Sequence, residues 1–501
     1  MKRGKKTLIN TAAGMLEEII AVICGFILPR LILSAFGSKY NGLTSSISQF
    51  LAYAILLRSG IGGATRAALY KPLAEHNQKE IDGIVKATDI FMKKIGLILA
   101  VSIVGFATVY PFMVKNEFGW FFTFTLFLVI GIDTFANSFF GITYLIVLQA
   151  DQRIWVASIA KTVCNILNVA VASALILNDA PIHLVKLGSS LVYLIYPLFL
   201  NYYVHKRYHI DPHAEPDNKA IAQRWDAFWH QVAEFVMNNT DVTVLTAFTN
   251  LLEVSVYSVH NMVISGLKRV VNSLASGLEA AFGNMLAKNE DQALRENLSV
   301  IETMIYALCT VAYGSAIILM ASFVRIYTKG ITDTEYVRPL FALVLFLAQF
   351  FNGIRKPYQM VVSAAGHFKQ TKKGAMLEPV INLSLSILLV IKYGLVGVAA
   401  GTLAATVFRT IQYSVYMSRN IVKRSMMIPA IRILLSFAEG GITYAVIRLI
   451  NLPEPSTYLA WALNGMITVI VASLAVGTGS LLFFRTDCIK FVQKLKRAVK
   501  A

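Results

Sequence analysis

Stretches of about twenty mostly apolar residues recur along the whole of this 501-residue chain, separated by short polar punctuation. A helix that crosses roughly 30 Å of hydrocarbon needs that length, so the pattern leaves little choice of architecture. About fourteen segments meet the criterion, near residues 9–35, 42–69, 95–114, 119–148, 154–177, 183–204, 228–250, 253–286, 299–327, 337–365, 374–391, 394–418, 428–450 and 457–484. Hydrophobic residues make up 56% of the chain and charged ones 15%, which suits that reading. The expected fold class is an all-α polytopic membrane protein. The first segment follows Lys2, Arg3, Lys5 and Lys6 in the manner of a signal peptide. Glu17 and Glu18 interrupt its apolar core and no small-residue cleavage site follows, so it reads as a spanning helix.

In a soluble protein the net charge of +18 would suggest a nucleic-acid partner; here its placement decides otherwise. With the N-terminus in the cytosol, the connections gather about 29 Lys and Arg on the cytosolic side and about four on the other, a strong positive-inside bias. Both termini are then cytosolic. The outward connections, such as Ser38 to Asn41 and Asn178 to Pro181, are too short to form a catalytic domain, and no enzymatic activity is expected. Segment 79–94, with Ile81, Ile84 and Val85 among lysines, reads as an amphipathic helix on the cytosolic surface.

Several motifs are set aside. Cys24, Cys164 and Cys309 fall in spans and Cys488 in the tail, so neither a disulfide framework nor a zinc spacing can be drawn. His205, His209 and His213 are four apart, but Pro212 breaks the helix that would converge them. Gly60, Gly62 and Gly63 imitate a dinucleotide fingerprint, yet Thr65 stands where the last glycine belongs and no strand precedes it. There is no Walker loop, so ATP is not the direct energy source. No cofactor is expected beyond a coupling proton or sodium ion.

The chain reads as two halves. The stretch His205 to His230, with Pro212, Pro216 and many charges, marks a linker. A shift of 217 residues without gaps aligns Tyr40 with Tyr257, Ile47 with Ile264, Ser59 and Gly60 with Ser276 and Gly277, and Asn165 with Asn382. One register serving three helix pairs predicts a parallel repeat of two six-helix lobes, residues 1–204 and 228–425, joined by a linker at 205–227. Two extra helices follow at 426–484, then a basic tail at 485–501. Parallel repeats of this kind commonly hold a substrate near the midplane between the halves.

Charges inside the spans carry the functional argument. A charged side chain at the bilayer centre costs at least about 2.5 kcal/mol, so such residues face a cavity or one another. Arg58, Gly62 and Arg66 share one helical face. Asn261, Ser265, Lys268, Arg269, Asn272, Ser276 and Glu279 form a polar stripe along the eighth span. Arg58, Lys268, Arg269, Arg355, Lys356 and Arg409 are placed near the midplane against Asp133 and Asp241, with Glu17, Glu234, Glu279 and Glu378 toward the cytosolic ends. The centre is therefore expected to be cationic. Arginine presents a planar fork suited to phosphate oxygens and keeps its charge when desolvated, which fits an anionic headgroup. The plainer alternative is a structural charge, paired with a buried acid or snorkelling from a helix end. That alternative is favoured for Arg66, Glu17, Lys161 and Glu378; Arg30, beside the kink at Pro29, reads equally as a gate or a snorkelling residue.

The stretches "YNGLTSSISQFLAYAILLRSGIGGATRAALYKPLAEHN", "LQADQRIWVASIAKTVCNILN", "NNTDVTVLTAF" and "KYGLVGVAAGTLAATVFRT" resemble bacterial polysaccharide flippases of the multidrug, oligosaccharidyl-lipid and polysaccharide exporter superfamily. The resemblance covers most of residues 5–425. It implies a protein of the bacterial cytoplasmic membrane that carries a polyprenyl-diphosphate-linked oligosaccharide to the outer leaflet by alternating access, among membrane lipids and other polysaccharide assembly proteins. Arg58 and Arg269 match basic positions of the family's second and eighth helices; Lys268, Arg355, Lys356, Arg409, Arg30 and Asn272 are added from spacing and depth. Asp133 and Asp241 are the candidates for ion coupling, each a carboxylate deep in a span. A cation-coupled drug exporter of the same superfamily is the rival, for which acids should dominate the centre. A membrane polymerase or ligase of lipid-linked sugars is less favoured, lacking an outer catalytic loop.

Overall fold

The computed structural model describes residues 3–56, 61–114, 117–218, 235, 239–275, 278–288 and 290–500. Regular structure among them is helical throughout. In chain order the helices are α1 (Arg3–Phe36), α2 (Ser38–Ile55), α3 (Ile61–Glu75), α4 (Gln78–Met113), α5 (Trp120–Ala136), α6 (Ile142–Ala150), α7 (Ile154–Leu177) and α8 (Ile182–Tyr208). A helix at residues 239–248, here α9, follows. Then come α10 (Leu251–Ala275), α11 (Leu278–Ala287), α12 (Asp291–Tyr327), α13 (Pro339–Ile354), α14 (Lys356–Ala364), α15 (Phe368–Asn420), α16 (Met427–Ile450), α17 (Tyr458–Phe483) and α18 (Arg485–Lys500). Among the described residues nine helical segments are long and apolar enough to cross a membrane.

Where sequence and structure differ, the reasons are local. The expected span at 119–148 is one membrane segment interrupted by a π-helical turn at Asn137–Gly141. The expected span at 337–365 breaks between α13 and α14, where Pro357 follows Arg355 and Lys356 and has no N–H for the helical ladder. Of those at 42–69 and 253–286, the described parts are α2 and α3, and α10 and α11. Conversely, 374–391 and 394–418 run together in α15 across a kink at Gly394 (φ 53°, ψ −129°), a backbone conformation that only glycine enters cheaply. Segment 79–94 is not a separate surface helix: it continues into the span as α4, with Ile81, Ile84 and Val85 buried against Leu69, Tyr144 and Val204. No helix breaker separates the amphipathic stretch from the apolar one, so the helix propagates.

The chain forms two compact units, Met1–Ser255 and Val256–Ala501, and the division falls inside α10. In hydrocarbon, helices associate through close contact and interhelical hydrogen bonds rather than escape from water. The first unit shows both. Tyr110 and Phe127 fill a core with Leu43, Ile47, Leu99 and Leu126. Beside it α2 meets α9 and the start of α10 along a polar seam: the Ser46 and Thr246 hydroxyls lie 2.7 Å apart, Asn41 donates to Ser255 at 2.8 Å, and Tyr53 donates to the Asn239 carbonyl at 3.0 Å. At the membrane edge, Asp151 collects Lys6 (2.9 Å), Arg153 (2.7 Å) and the Tyr208 hydroxyl (2.6 Å), tying α1 to the α6–α7 turn and the end of α8. In the second unit α12 packs against α13, α16, α17 and α18.

Candidate functional site

The first unit holds a cavity of about 270 Å³ lined by Asp133, Thr134, Asn137, Gly141, Ile142, Leu145, Lys161 and Tyr196. The π-helical turn builds one wall. Gly141 is required there, because a Cβ would lie 2.8 Å from Pro197 of α8. Asn137 donates to the Asp133 carboxylate at 2.7 Å, and the Lys161 ammonium stands over the rings of Tyr193 (4.4 Å) and Tyr196 (5.1 Å). Tyr193 donates to Asn165 at 3.1 Å and Asn168 donates to Tyr193 at 3.3 Å, so the ring beneath the ammonium is held in place. The sequence points to Asp133, whereas it reads Lys161 as structural and does not single out the tyrosines. A carboxylate, an amide and a cation over aromatic faces in one cavity can bind small polar groups of either sign.

In the second unit the break after α13 presents Arg355 to Glu378 of α15, with which it makes a close ion pair. Arg409 lies 3.5 Å from the other Glu378 oxygen, donates to the Thr371 carbonyl (3.2 Å) and the Tyr413 hydroxyl (2.8 Å), and stacks on the Tyr413 ring at 4.0 Å. Glu378 thus lies with the two arginines rather than apart from them. Two guanidiniums share one carboxylate, so the cluster keeps a net positive charge while Arg409 is only 4% exposed. Lys356 begins α14 and is half-buried.

The stripe on α10 is one-sided. His260, Ile264 and Val271 are buried, whereas Asn261, Ser265 and Lys268 are half-buried and Arg269 and Asn272 are exposed. Arg58 lies outside the described residues, as do Ser276 of the stripe and Glu234. Arg66 donates to Gln149 at 3.3 Å. Arg30 is half-buried on α1, one turn before Ser34, whose hydroxyl bonds the Arg30 carbonyl at 2.9 Å. Asp241, 8% exposed, sits in α9. The structure thus joins Asp133 to Lys161 and joins Arg355, Arg409 and Glu378. Among the described residues no group of three or more His, Cys, Asp and Glu is arranged to hold a metal.

A second cavity, about 540 Å³ and mostly apolar, opens in the second unit. Ile317 and Ile318 of α12, Leu343 and Leu347 of α13, and Phe437, Gly440 and Gly441 of α16 line it. His260, Arg338 and Ser436 also line it, but no sequence motif marks it, because most of its wall is apolar residues indistinguishable from ordinary span residues.

No family model matches the chain, and no curated protein matches it. Solved structures do. A lipid II flippase, MurJ, in an inward closed conformation is similar over 96% of this chain and 99% of its own, with 14% identity and a TM-score of 0.73. An inward-facing multidrug resistance MATE family transporter of the MOP superfamily is similar over 81% of this chain and 98% of its own (11% identity, TM-score 0.68). The MATE multidrug transporter DinF-BH is similar over 84% of this chain and 97% of its own at 14% identity, with a TM-score of 0.58. At these identities the likeness is one of fold: the chain has the fold that the flippase and the MATE transporters share.

Proposed function

We propose that the protein is a flippase which moves a polyprenyl-diphosphate-linked oligosaccharide from the cytosolic to the outer leaflet by alternating access, without catalysis. In this reading residues 1–204 and 228–425 are two copies of a six-helix repeat and both termini are cytosolic. The observation that carries it is the α10 stripe: Lys268, Arg269 and Asn272 lie on the less buried side of a helix whose His260, Ile264 and Val271 are packed. Charges within a membrane span face a cavity or other polar groups rather than lipid, and arginine suits phosphate oxygens. The net positive cluster of Arg355, Arg409 and Glu378, and Lys356 beside it, adds to the attraction for a diphosphate. The apolar cavity of about 540 Å³ suits a hydrocarbon tail that stays in the bilayer.

Likeness to the lipid II flippase over nearly the full length of both chains supports a lipid-linked cargo over a drug. The drug-exporter reading calls for acids to dominate the centre, and Lys161 beside Asp133 in one cavity weighs against it. Asp133 and Asp241 remain the proposed sites of coupling to a proton or sodium ion.

The test is outward movement of a fluorescent polyprenyl-diphosphate oligosaccharide in liposomes. Arg269→Ala should lower the initial rate by about tenfold, the worth of one hydrogen bond to a charged group, with thermal stability unchanged. Arg58→Ala should act in the same direction. Native rates in both variants sink the site assignment; a native chain that moves no such lipid sinks the cargo.

A further inference from the structure

Among the described residues, three acids lie buried in the membrane-spanning helices of the second unit, and two are neutralised by arginine. Glu302 of α12 is fully buried between Arg424, which grips both its oxygens, and Arg432 at 3.6 Å. Glu378 is shared by Arg355 and Arg409. The third, Glu439, sits halfway along α16, is 4% exposed, and has one carboxyl oxygen, Oε1, buried without a hydrogen-bond partner. Gly479 of α17 leaves room for it, since a Cβ there would collide with that same oxygen. The carboxyl group is therefore seated against the backbone of α17.

A narrow crevice joins this position to Thr303, Tyr306, Arg432, Ser436 and Ser480. Arg432 in turn pairs at 3.0 Å with Asp487, in the first turn of α18 beyond the end of α17. The charged and titratable groups facing Glu439 are few. Its own helix brings Arg432, two turns away; α12 brings Tyr306 and, about one turn nearer Arg432, Glu302; α13 has no titratable residue, and α17 offers Gly479 and Ser480. Arg432 is already engaged by Glu302 and Asp487. A carboxylate in hydrocarbon without its own counter-charge is costly enough that such groups are rare and functional.

We propose that Glu439 is a proton-binding site of the two extra helices, and that proton occupancy holds α16 against α17. One proton is taken up from water by way of the Arg432–Asp487 end of the crevice, converting the carboxylate to the acid. Emptying the site leaves a bare charge at the α16–α17 contact and loosens it. The consequence extends to the apolar cavity, because Ser436, Phe437, Gly440 and Gly441, the immediate neighbours of Glu439, form its α16 wall. Proton loading then sets the shape of the cavity to which the tail is assigned, a consequence that rests on the flippase reading; the proton site itself does not.

Two readouts separate the two ideas. In the full chain in lipid nanodiscs, infrared difference spectroscopy across a pH titration should show a protonated-carboxyl band that bleaches as pH rises and is absent in Glu439→Gln, a variant with the shape of the loaded acid. Flipping by the native chain should fall by up to about tenfold per pH unit once the site empties, as one titrating group dictates, while Glu439→Gln stays flat. A band unchanged in Glu439→Gln, or a variant with the native pH profile, overturns the proposal. If the native chain flips no lipid, the cargo reading fails and the infrared band alone decides whether Glu439 binds a proton.

Discussion

Lys161, in the cavity of the first unit, and Glu378, in the arginine cluster of the second, are paired by one sequence register yet carry opposite charges. The shift of 217 residues carries Lys161 to Glu378 and Tyr196 to Tyr413. In the first unit the charged group is a cation stacked on tyrosines beside an open cavity; in the second it is an anion clamped by two arginines, one of them stacked on a tyrosine. The same register pairs Asn137, where the π-helical turn begins, with Ile354, the last residue of α13. The difference teaches that a sequence register can pair two charged positions without fixing the sign of the charge. One unit presents its charge to a cavity, and the other neutralises most of its own.

The largest test of that contrast is Glu378→Gln. It leaves the half-buried Arg355 and the buried Arg409 mutually repelling, at a cost of about 3–5 kcal/mol. A lowered midpoint in thermal unfolding should show it; an unchanged midpoint would mean the cluster is not clamped. Next is Gly141→Ala, expected to cost about 1–3 kcal/mol by forcing α8 away at Pro197. The same register pairs Gly141 with Tyr358, which is fully buried with its hydroxyl 2.7 Å from that of Tyr306. Lys161→Met removes a cation over two rings and should cost only about 0.5–2 kcal/mol. If it destabilises as much as Glu378→Gln, the open and closed descriptions of the two sites fail.

The smallest effect is at Asp151. Burial pushes its carboxyl up, but hydrogen bonds from Tyr208 and Lys6 and the charges of Lys6 and Arg153 more than offset this and hold it below the usual aspartate range. A depressed carboxylate contributes stability above its ordinary range and loses it as pH falls through the folded value. Native protein should therefore exceed Asp151→Asn by up to about 1 kcal/mol near neutral pH, and the gap should close on acidification. Unfolding midpoints of the two proteins at several pH values measure it.

The apolar segments are legible in sequence because composition and length alone reveal them, and Asp133, Arg355 and Arg409 are visible as charges out of place. Their partners are not. Arg355, Glu378 and Arg409 are separated by 23 and 31 residues of helix whose kinks, at Pro357 and Gly394, decide relative depth, and depth cannot be counted along a bent helix. Sequence reasoning accordingly assigns Glu378 to a cytosolic end and the arginines to the midplane. The network of Glu302, Arg424, Arg432 and Asp487 escapes it for another reason: its members come from a span, a connection, an extra helix and the tail, each of which looks self-sufficient. One signal was available, since Arg432 and Glu439 lie seven residues apart on one face of an otherwise apolar helix.

The π-helical turn at Asn137–Gly141 has a consequence for changes in chain length. Its hydrogen bonds close over one residue more than an ordinary turn, so deleting a single residue such as Phe140 would let an unbroken α-helix form. The wide turn takes up that extra residue, so the deletion leaves the downstream helix nearly in phase, and Ile142 and Leu145 stay on the wall shared with Asp133. A single-residue deletion within the regular turns of α6 has no such slack and would rotate everything downstream by about 100° and draw it back by about 1.5 Å. Deleting Phe140 should therefore be milder than deleting one residue of α6.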